Sequence, residues 1–242
     1  MTAAPPKTKA EAFDLSSIVP GVIAKPPRAL TDKFSAGIFG PKGSGKTSLL
    51  GSAAEVEELG PVAILAVEDG ASVLAGVYDD VQVVHVEDYE TARDVIGAWV
   101  NGHTPWKTFC IDTFYKLQQL MKRDCTETGY GLWGYVADES EKIITRCHET
   151  KAGNFIFTTH AERLQDDSGK IINVPTFVGK KSLIEVLKPI DELYFLTAKA
   201  DGTRILQTRP NGKNEASTRA PRMPMEIEDP TYAEIYSFYK TK

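Results

Sequence analysis

One segment of the sequence constrains the fold more than any other, because it fits the pattern G-x-x-x-x-G-K-[ST] at every position: Gly40-Pro41-Lys42-Gly43-Ser44-Gly45-Lys46-Thr47. Apolar residues 34–39 precede it, and residues 48–59 are predicted to form a helix. A strand, a glycine-rich loop and a helix, in that order, are the context that this motif requires. The alternative is a glycine-rich turn that only begins a helix. The glycines, the Lys-Thr pair and the flanking segments all argue against it.

The chemistry of phosphate binding explains the spacing of the motif. Glycines let successive backbone N–H groups turn toward a phosphate, and the following helix adds positive charge at the same point. Lys46 is expected to reach the β- and γ-phosphates, and the Thr47 hydroxyl is expected to ligate Mg²⁺. The sequence therefore predicts a nucleoside triphosphate site formed by Gly40, Pro41, Lys42, Gly43, Ser44, Gly45, Lys46, Thr47 and Ser48.

Composition limits the remaining possibilities. The 242 residues are enough for one domain with a sizeable core, and the formal net charge of −5 gives no broad basic field. Any contact with nucleic acid must therefore be local or arise in an assembled ring or filament. The three cysteines lack the spacing of metal ligands, which favours reduced thiols. No apolar run approaches the roughly 20 residues that span a bilayer, and no signal peptide is recognisable. We expect a cytoplasmic protein that does not contact membranes.

The order of elements predicts an α/β fold. Residues 1–30 contain several prolines and are predicted to be a flexible arm, with a single domain over residues 31–242. Apolar runs that predict buried strands alternate with amphipathic helices: strands at 61–67, 81–86, 108–112 and 154–159, and helices at 88–100, 114–123 and 136–150. Residues 129–135, between the last two helices, are predicted to be a loop. The C-terminal third is predicted to contain hairpins at 161–178 and 192–208, a short helix at 179–187, a loop from 210 and a final helix at 232–240. This pattern indicates a mostly parallel central sheet flanked by helices, with ligands at the carboxyl ends of its strands.

Two acids at predicted strand ends are candidates for the chemistry. Asp112 suits the acid that holds Mg²⁺ through water, although apolar strands that end in Asp are common. The next residue is Thr113 and not Glu, so the acid that orients water must come from elsewhere. Glu68 ends the strand after the phosphate-loop helix and is the natural candidate, with Asp69 as its competitor.

These residues together support a resemblance. Residues 40–47, Val67-Glu68, Ile111-Asp112-Thr113 and Thr158-Thr159-His160 resemble the RecA-like P-loop ATPases. They look most like the compact, phage-encoded, core-only members proposed to act in single-strand annealing and recombination. The resemblance covers about residues 34–225 and implies ATP and Mg²⁺ as cofactors. It implies that Glu68 and Lys46 are catalytic, and that His160 senses the γ-phosphate and couples it to a DNA-binding loop.

The resemblance also implies partners. Single-stranded DNA would contact Arg163, Lys170, Lys180 and Lys181, and bases would stack on Tyr130, Trp133 and Tyr135. The alternative is a solvated hairpin with aromatic residues packed beneath a loop. A homo-oligomer would complete each ATP site with cations from the next subunit, and the candidates are Arg209, Lys213, Arg219 and Arg222. The alternative is a basic surface loop. A single-strand-binding protein is a further expected partner, and the dedicated DNA-binding domains of RecA are absent.

Three other functions remain open at this point. A helicase loader or AAA-type motor would act on a protein partner. A small-molecule or nucleotide kinase would need an acceptor pocket and usually an arginine-rich lid. A nucleotide-gated binding module would hydrolyse little ATP.

Overall fold

Nine strands of the described chain join in one sheet. The computed structural model describes residues 33–165, 169–179 and 186–240, and the described residues from Phe34 onward form one compact unit. The predicted arm, residues 1–30, lies outside the described residues and stays a prediction. The strands are β1 Ser35–Gly40, β2 Val62–Ala66, β3 Val81–His85, β4 Thr108–Asp112, β5 Asn154–Gln165, β6 Ile171–Pro175, β7 Glu192–Ala198, β8 Arg204–Gln207 and β9 Glu226–Glu228.

The sheet is mostly parallel, in the order β3-β2-β4-β5-β1-β7-β8-β9, with β6 paired to the outer half of β5. The first six strands of this order, β3, β2, β4, β5, β1 and β7, run parallel to one another. Strands β8, β9 and β6 are antiparallel to their neighbours. The register places Gly40 beside His160 and Ala66 beside Asp112. Because parallel strands end at the same edge, the polar residues that follow them meet there.

Helices cover both faces of the sheet. They are α1 Lys46–Gly51, α2 Tyr89–Val100, α3 Phe114–Asp124, α4 Gly129–Glu149 and α5 Tyr232–Lys240. Alternate strand residues face opposite sides, so Phe109 packs with α2, α3 and α4, whereas Cys110 packs with α1 and α5. Trp99 of α2 is fully buried and stacks on Phe109 with ring centroids 5.0 Å apart. The predicted α/β fold, a mostly parallel sheet flanked by helices, is confirmed.

Helix starts follow local capping chemistry. Asp88 caps α2, because its carboxylate accepts a hydrogen bond of 2.7 Å from the Thr91 amide. Thr113 precedes α3 and accepts from the Lys116 amide at 3.4 Å.

The helix predicted at 48–59 is wrong in its extent. α1 ends at Gly51, and Ser52–Glu55 form a 3₁₀ helix. The Ser52 hydroxyl donates to the Leu49 carbonyl and accepts from the Tyr232 amide at the start of α5. These side-chain bonds compete with regular α-helical geometry and tie this segment to the C-terminal helix.

The loop predicted at 129–135 is also wrong, because α4 begins at Gly129. Leu132 and Tyr135 pack against the buried cluster beneath α2, α3 and α4, so burial outweighs the low helix propensity of three glycines. Tertiary contacts therefore decide where this helix begins.

The C-terminal third departs from the prediction at two further points. The hairpin at 161–178 exists, but its first strand is continuous with β5, and residues 166–168, between its two strands in the sequence, lie outside the described residues. The loop predicted from 210 contains β9, which pairs with β8. The predicted helix at 179–187 falls mostly outside the described residues. No helix in the described ranges is long and apolar enough to cross a membrane.

Candidate active site

The phosphate-binding loop follows the carboxyl end of β1, and its lysine binds backbone carbonyls at the start of the same loop. Gly43 and Gly45 have φ of 80° and 92°, a backbone conformation that favours glycine. Lys46 Nζ donates to the carbonyl oxygens of Gly40 and Pro41, at 2.9 Å each. Burial lowers the pKa of Lys46, and the charges of Asp112 and Glu68 oppose this shift. The ammonium group is therefore held at the loop with both carboxylates nearby.

Two observations show that this loop fits a phosphate chain. The Ser44 hydroxyl is buried and has no hydrogen-bond partner among the described residues, which leaves a polar atom for a ligand to satisfy. A Cβ on Gly40 would lie 2.0 Å from the Leu196 carbonyl oxygen, so only glycine fits where the loop leaves the sheet. The residues present thus suit the triphosphate that the motif predicts.

The two predicted metal ligands are in direct contact. Thr47 Oγ1 donates to Asp112 Oδ2 at 2.6 Å, and Thr158 Oγ1 donates to Asp112 Oδ1. Asp112 is almost fully buried. Within the described ranges, no group of three or more His, Cys, Asp or Glu residues is arranged to hold a metal. One hydroxyl and one carboxylate fit Mg²⁺, which keeps several waters and is usually bound together with substrate phosphates.

Glu68 lies at the same edge, two residues beyond the end of β2. Its Oε1 accepts a hydrogen bond of 2.9 Å from Thr113 Oγ1 and lies 3.3 Å from His160 Nε2. About a third of each of the Glu68 and His160 side chains is exposed, 32% and 31%. The Tyr115 ring meets the His160 ring edge-on, with centroids 6.0 Å apart. Glu68 is thus oriented by neighbours and still reachable by water.

The competing acid, Asp69, is exposed and makes no hydrogen bond to a residue of this site in the part of the chain described. The geometry therefore favours Glu68 as the acid that orients water. The five predicted residues that the structure brings together are Lys46, Thr47, Glu68, Asp112 and His160.

A profile of the AAA domain family matches residues 32–220, which include every residue of this site. The chain belongs to the AAA domain family. A comparison with curated proteins found no match. AAA domains of this P-loop ATPase type generally bind ATP with Mg²⁺, in agreement with the loop and with the Thr47–Asp112 pair.

Two residues of this AAA domain site were not predicted from the sequence. Thr113 and Thr158 were named among the residues that carry the resemblance, but neither was given a role; both orient carboxylates. A hydroxyl after a strand-end acid is a weak sequence signal, because threonine is common in strands.

The predicted DNA contacts of the AAA domain are only partly described. Arg163 is exposed on the outer half of β5, Lys170 immediately precedes β6, and Lys180 and Lys181 lie outside the described residues. At the start of α4, 97% of Tyr130 and 45% of Trp133 are exposed. Tyr135, in contrast, packs against the core.

The candidates for a cation supplied to a neighbouring AAA domain differ in their surroundings. Arg209 donates to the Pro221 and Met223 carbonyls at 3.2 and 3.4 Å. Arg219 pairs with Asp191 at 2.5 Å, before the start of β7 and thus at the sheet edge opposite the phosphate loop. Lys213 and Arg222 are exposed, and the Lys213 carbonyl accepts from the Asn173 amide of β6 at 2.8 Å. Lys213 is thus the candidate on a segment joined to the β5–β6 hairpin.

Proposed function

We propose that this AAA domain is a Mg²⁺-dependent ATPase in which Glu68 activates the attacking water. The observation that carries the proposal is the convergence of the loop lysine, the Thr47–Asp112 pair and a partly exposed glutamate at one edge of the sheet. Mg²⁺, when bound, would neutralise charge on the β- and γ-phosphates. Thr47 and Asp112 would hold it.

The chain's own residues account for the remaining steps. The backbone amides of the loop and the Lys46 ammonium bind the phosphates. Water attacks the γ-phosphorus, the bond to the ADP oxygen breaks, and Glu68 accepts the proton of the water. Thr113 and His160 both contact Oε1, so we infer that Oε2 of Glu68 is the atom that faces the water.

We further propose that hydrolysis serves a DNA recombination or single-strand annealing activity of an oligomer on single-stranded DNA, beside a single-strand-binding protein. Support comes from the strand that carries His160, because β5 continues directly into the hairpin with Arg163. The Thr176 amide donates to the His160 carbonyl at 2.8 Å, which joins both strands of the hairpin to the site. Lys122 lies 4.9 Å from the centre of the exposed Trp133 ring, a surface suited to stacked bases and phosphates.

Steady-state ATP hydrolysis tests the catalytic proposal. We expect Glu68→Gln to lower kcat by about 10²–10⁴, the range for a positioned general base, without loss of ATP binding. Asp69→Asn is the matched control and should leave kcat unchanged. Lys46→Ala should abolish ATP binding. A Glu68→Gln variant that hydrolyses at the wild-type rate would contradict this mechanism.

The DNA proposal is tested in the same assay with and without single-stranded DNA, over a range of protein concentrations. We expect DNA to raise the rate, and the rate per subunit to climb with concentration as sites are shared. Arg163→Ala should weaken the DNA effect and reduce the salt slope of binding by about one, because one phosphate contact is lost. Arg93→Ala, an exposed arginine on α2, is the control. If DNA does not change the rate of hydrolysis, and the rate is proportional to protein concentration, the recombination role is rejected and a loader or a kinase is favoured.

A further inference from the structure

We propose that Arg204 binds the phosphates of the nucleotide held by the loop of its own chain, an inference that rests on the proposed ATPase function. Neither the loop motif nor the family match singles out this residue. Three features of the structure lead to it: the position of the side chain, the way its backbone is held, and the absence of a partner for its charge among the described residues.

The Arg204 side chain lies directly against the phosphate loop. A Cβ built on Gly45 would be 2.6 Å from Arg204 Nε and 2.9 Å from both Cδ and Cζ. The arginine therefore occupies the space that any side chain at position 45 would need. Gly45 precedes Lys46, so the guanidinium group lies beside the backbone that is expected to surround the phosphates.

The backbone of Arg204 is fixed on both sides. Arg204 pairs with Ala198 across the β7–β8 hairpin. Its amide donates to Asp229 Oδ1 at 2.9 Å, and the Asp229 amide donates to the Arg204 carbonyl at 2.8 Å. Asp229 has a φ of 43°, and among the described residues it is the one non-glycine with positive φ. Such strain persists only where the surroundings enforce it, and here it secures the residue that reaches the loop.

The charge of Arg204 has no counterpart within the described chain. Its guanidinium group makes no hydrogen bond and no ion pair with a described residue, unlike Arg219 or Lys199. Ser44, the residue before Gly45 in the loop, has a buried hydroxyl with no hydrogen-bond partner among the described residues. A cation against Gly45 and a buried hydroxyl on the preceding loop residue, both without a partner among the described residues, suit an anionic ligand rich in oxygen. The planar guanidinium fork matches phosphate oxygens, to which it can donate two parallel hydrogen bonds.

This assignment differs from a cation supplied by a neighbouring subunit. Arg204 already lies at the loop of its own chain, so its contribution to nucleotide binding needs no assembly. Binding should therefore depend on Arg204 even in dilute protein.

Isothermal titration with Mg-ADP, followed by displacement with inorganic pyrophosphate, tests the proposal. We expect Arg204→Ala to weaken both ligands at least about tenfold, since a lost charge-assisted hydrogen bond is a loss of this order. Arg204→Lys keeps the charge without the fork and should give intermediate affinity. Lys199→Ala removes an exposed cation of the same hairpin, paired with Glu228 at 3.3 Å, and should bind like the wild type. Thermal melting of nucleotide-free protein verifies that each variant is folded.

Two results would overturn the assignment. Wild-type affinity of folded Arg204→Ala for both ligands would show that the residue makes no contact. Weakened ADP binding with unchanged pyrophosphate binding would place the contact on the nucleoside and not on the phosphates. Either outcome, with Lys46→Ala still unable to bind, rejects this inference alone. A wild-type protein that binds no ADP would reject the proposed ATPase function and this inference with it.

Discussion

The hydrogen bond from Thr113 to Glu68 allows a quantitative test of how the proposed base is oriented. Thr113→Val removes the hydroxyl at nearly constant volume in a side chain that is 4% exposed. A hydrogen bond to a charged group contributes about 1.5–3 kcal/mol. Each 1.4 kcal/mol or so of transition-state free energy changes a rate about tenfold. His160 Nε2 still lies 3.3 Å from the same oxygen, so we expect the lower end of this range, a fall in kcat of about tenfold.

The effect should appear in kcat and not in the KM for ATP, because Thr113 makes no hydrogen bond to the phosphate loop. Steady-state hydrolysis over a range of ATP concentrations separates the two parameters. Thr113→Ser keeps a hydroxyl at the same position and should restore most of the wild-type kcat.

The cap of α3 needs a separate control, since the Thr113 hydroxyl also accepts from the Lys116 amide. Losing a cap costs about 1 kcal/mol of stability. Asp88→Ala removes the cap of α2, a carboxylate that accepts hydrogen bonds only from Thr91 within the described residues, and should lower the melting temperature while leaving kcat unchanged. A Thr113→Val variant with wild-type kcat, or a Thr113→Ser variant as slow as Thr113→Val, would refute the positioning role.

Two further predictions concern stability. A Cβ on Gly37 would lie 2.6 Å from Phe157 Cζ in the centre of the core, so Gly37→Ala should cost about 1–3 kcal/mol. The melting temperature of Gly37→Ala should be about 2–12 °C lower than that of the wild type. A Cβ on Gly97 would have nothing within 4 Å, so the control Gly97→Ala should not be destabilised. An unchanged melting temperature of Gly37→Ala would contradict this packing. Burial raises the pKa of Glu192 above 4.5, so the stability linked to its protonated form is present below pH 4.5 and lost as the pH rises through the raised pKa. In urea titrations, the free energy of unfolding of Glu192→Gln minus that of the wild type should therefore increase from pH 4.5 to neutral pH. A difference that does not change with pH would contradict this prediction.

Short sequence patterns predict most strands of the sheet, but not all of them. Strands β1 to β5 and the pairing of β7 with β8 follow from apolar runs and from the Asp201-Gly202 turn, because burial and turn chemistry act over a few neighbouring residues. Strand β9 has no such signal. It exists because the backbone groups of β8 need partners, and a segment about 20 residues away supplies them.

By itself the sequence determined the phosphate loop, the strand-end positions of Glu68, Asp112 and His160, and thereby the class of fold. Each of these depends on residue type and spacing within a short stretch, and the common edge of parallel strands brings the ends together. Only the tertiary structure decided that Thr113 and His160 both contact Oε1 of Glu68, and that the Arg204 side chain lies against the backbone of Gly45. Those contacts join residues 45 to 159 positions apart in the chain. Their partners are selected by packing distance and hydrogen-bond geometry, and neither quantity leaves a periodic pattern in the sequence.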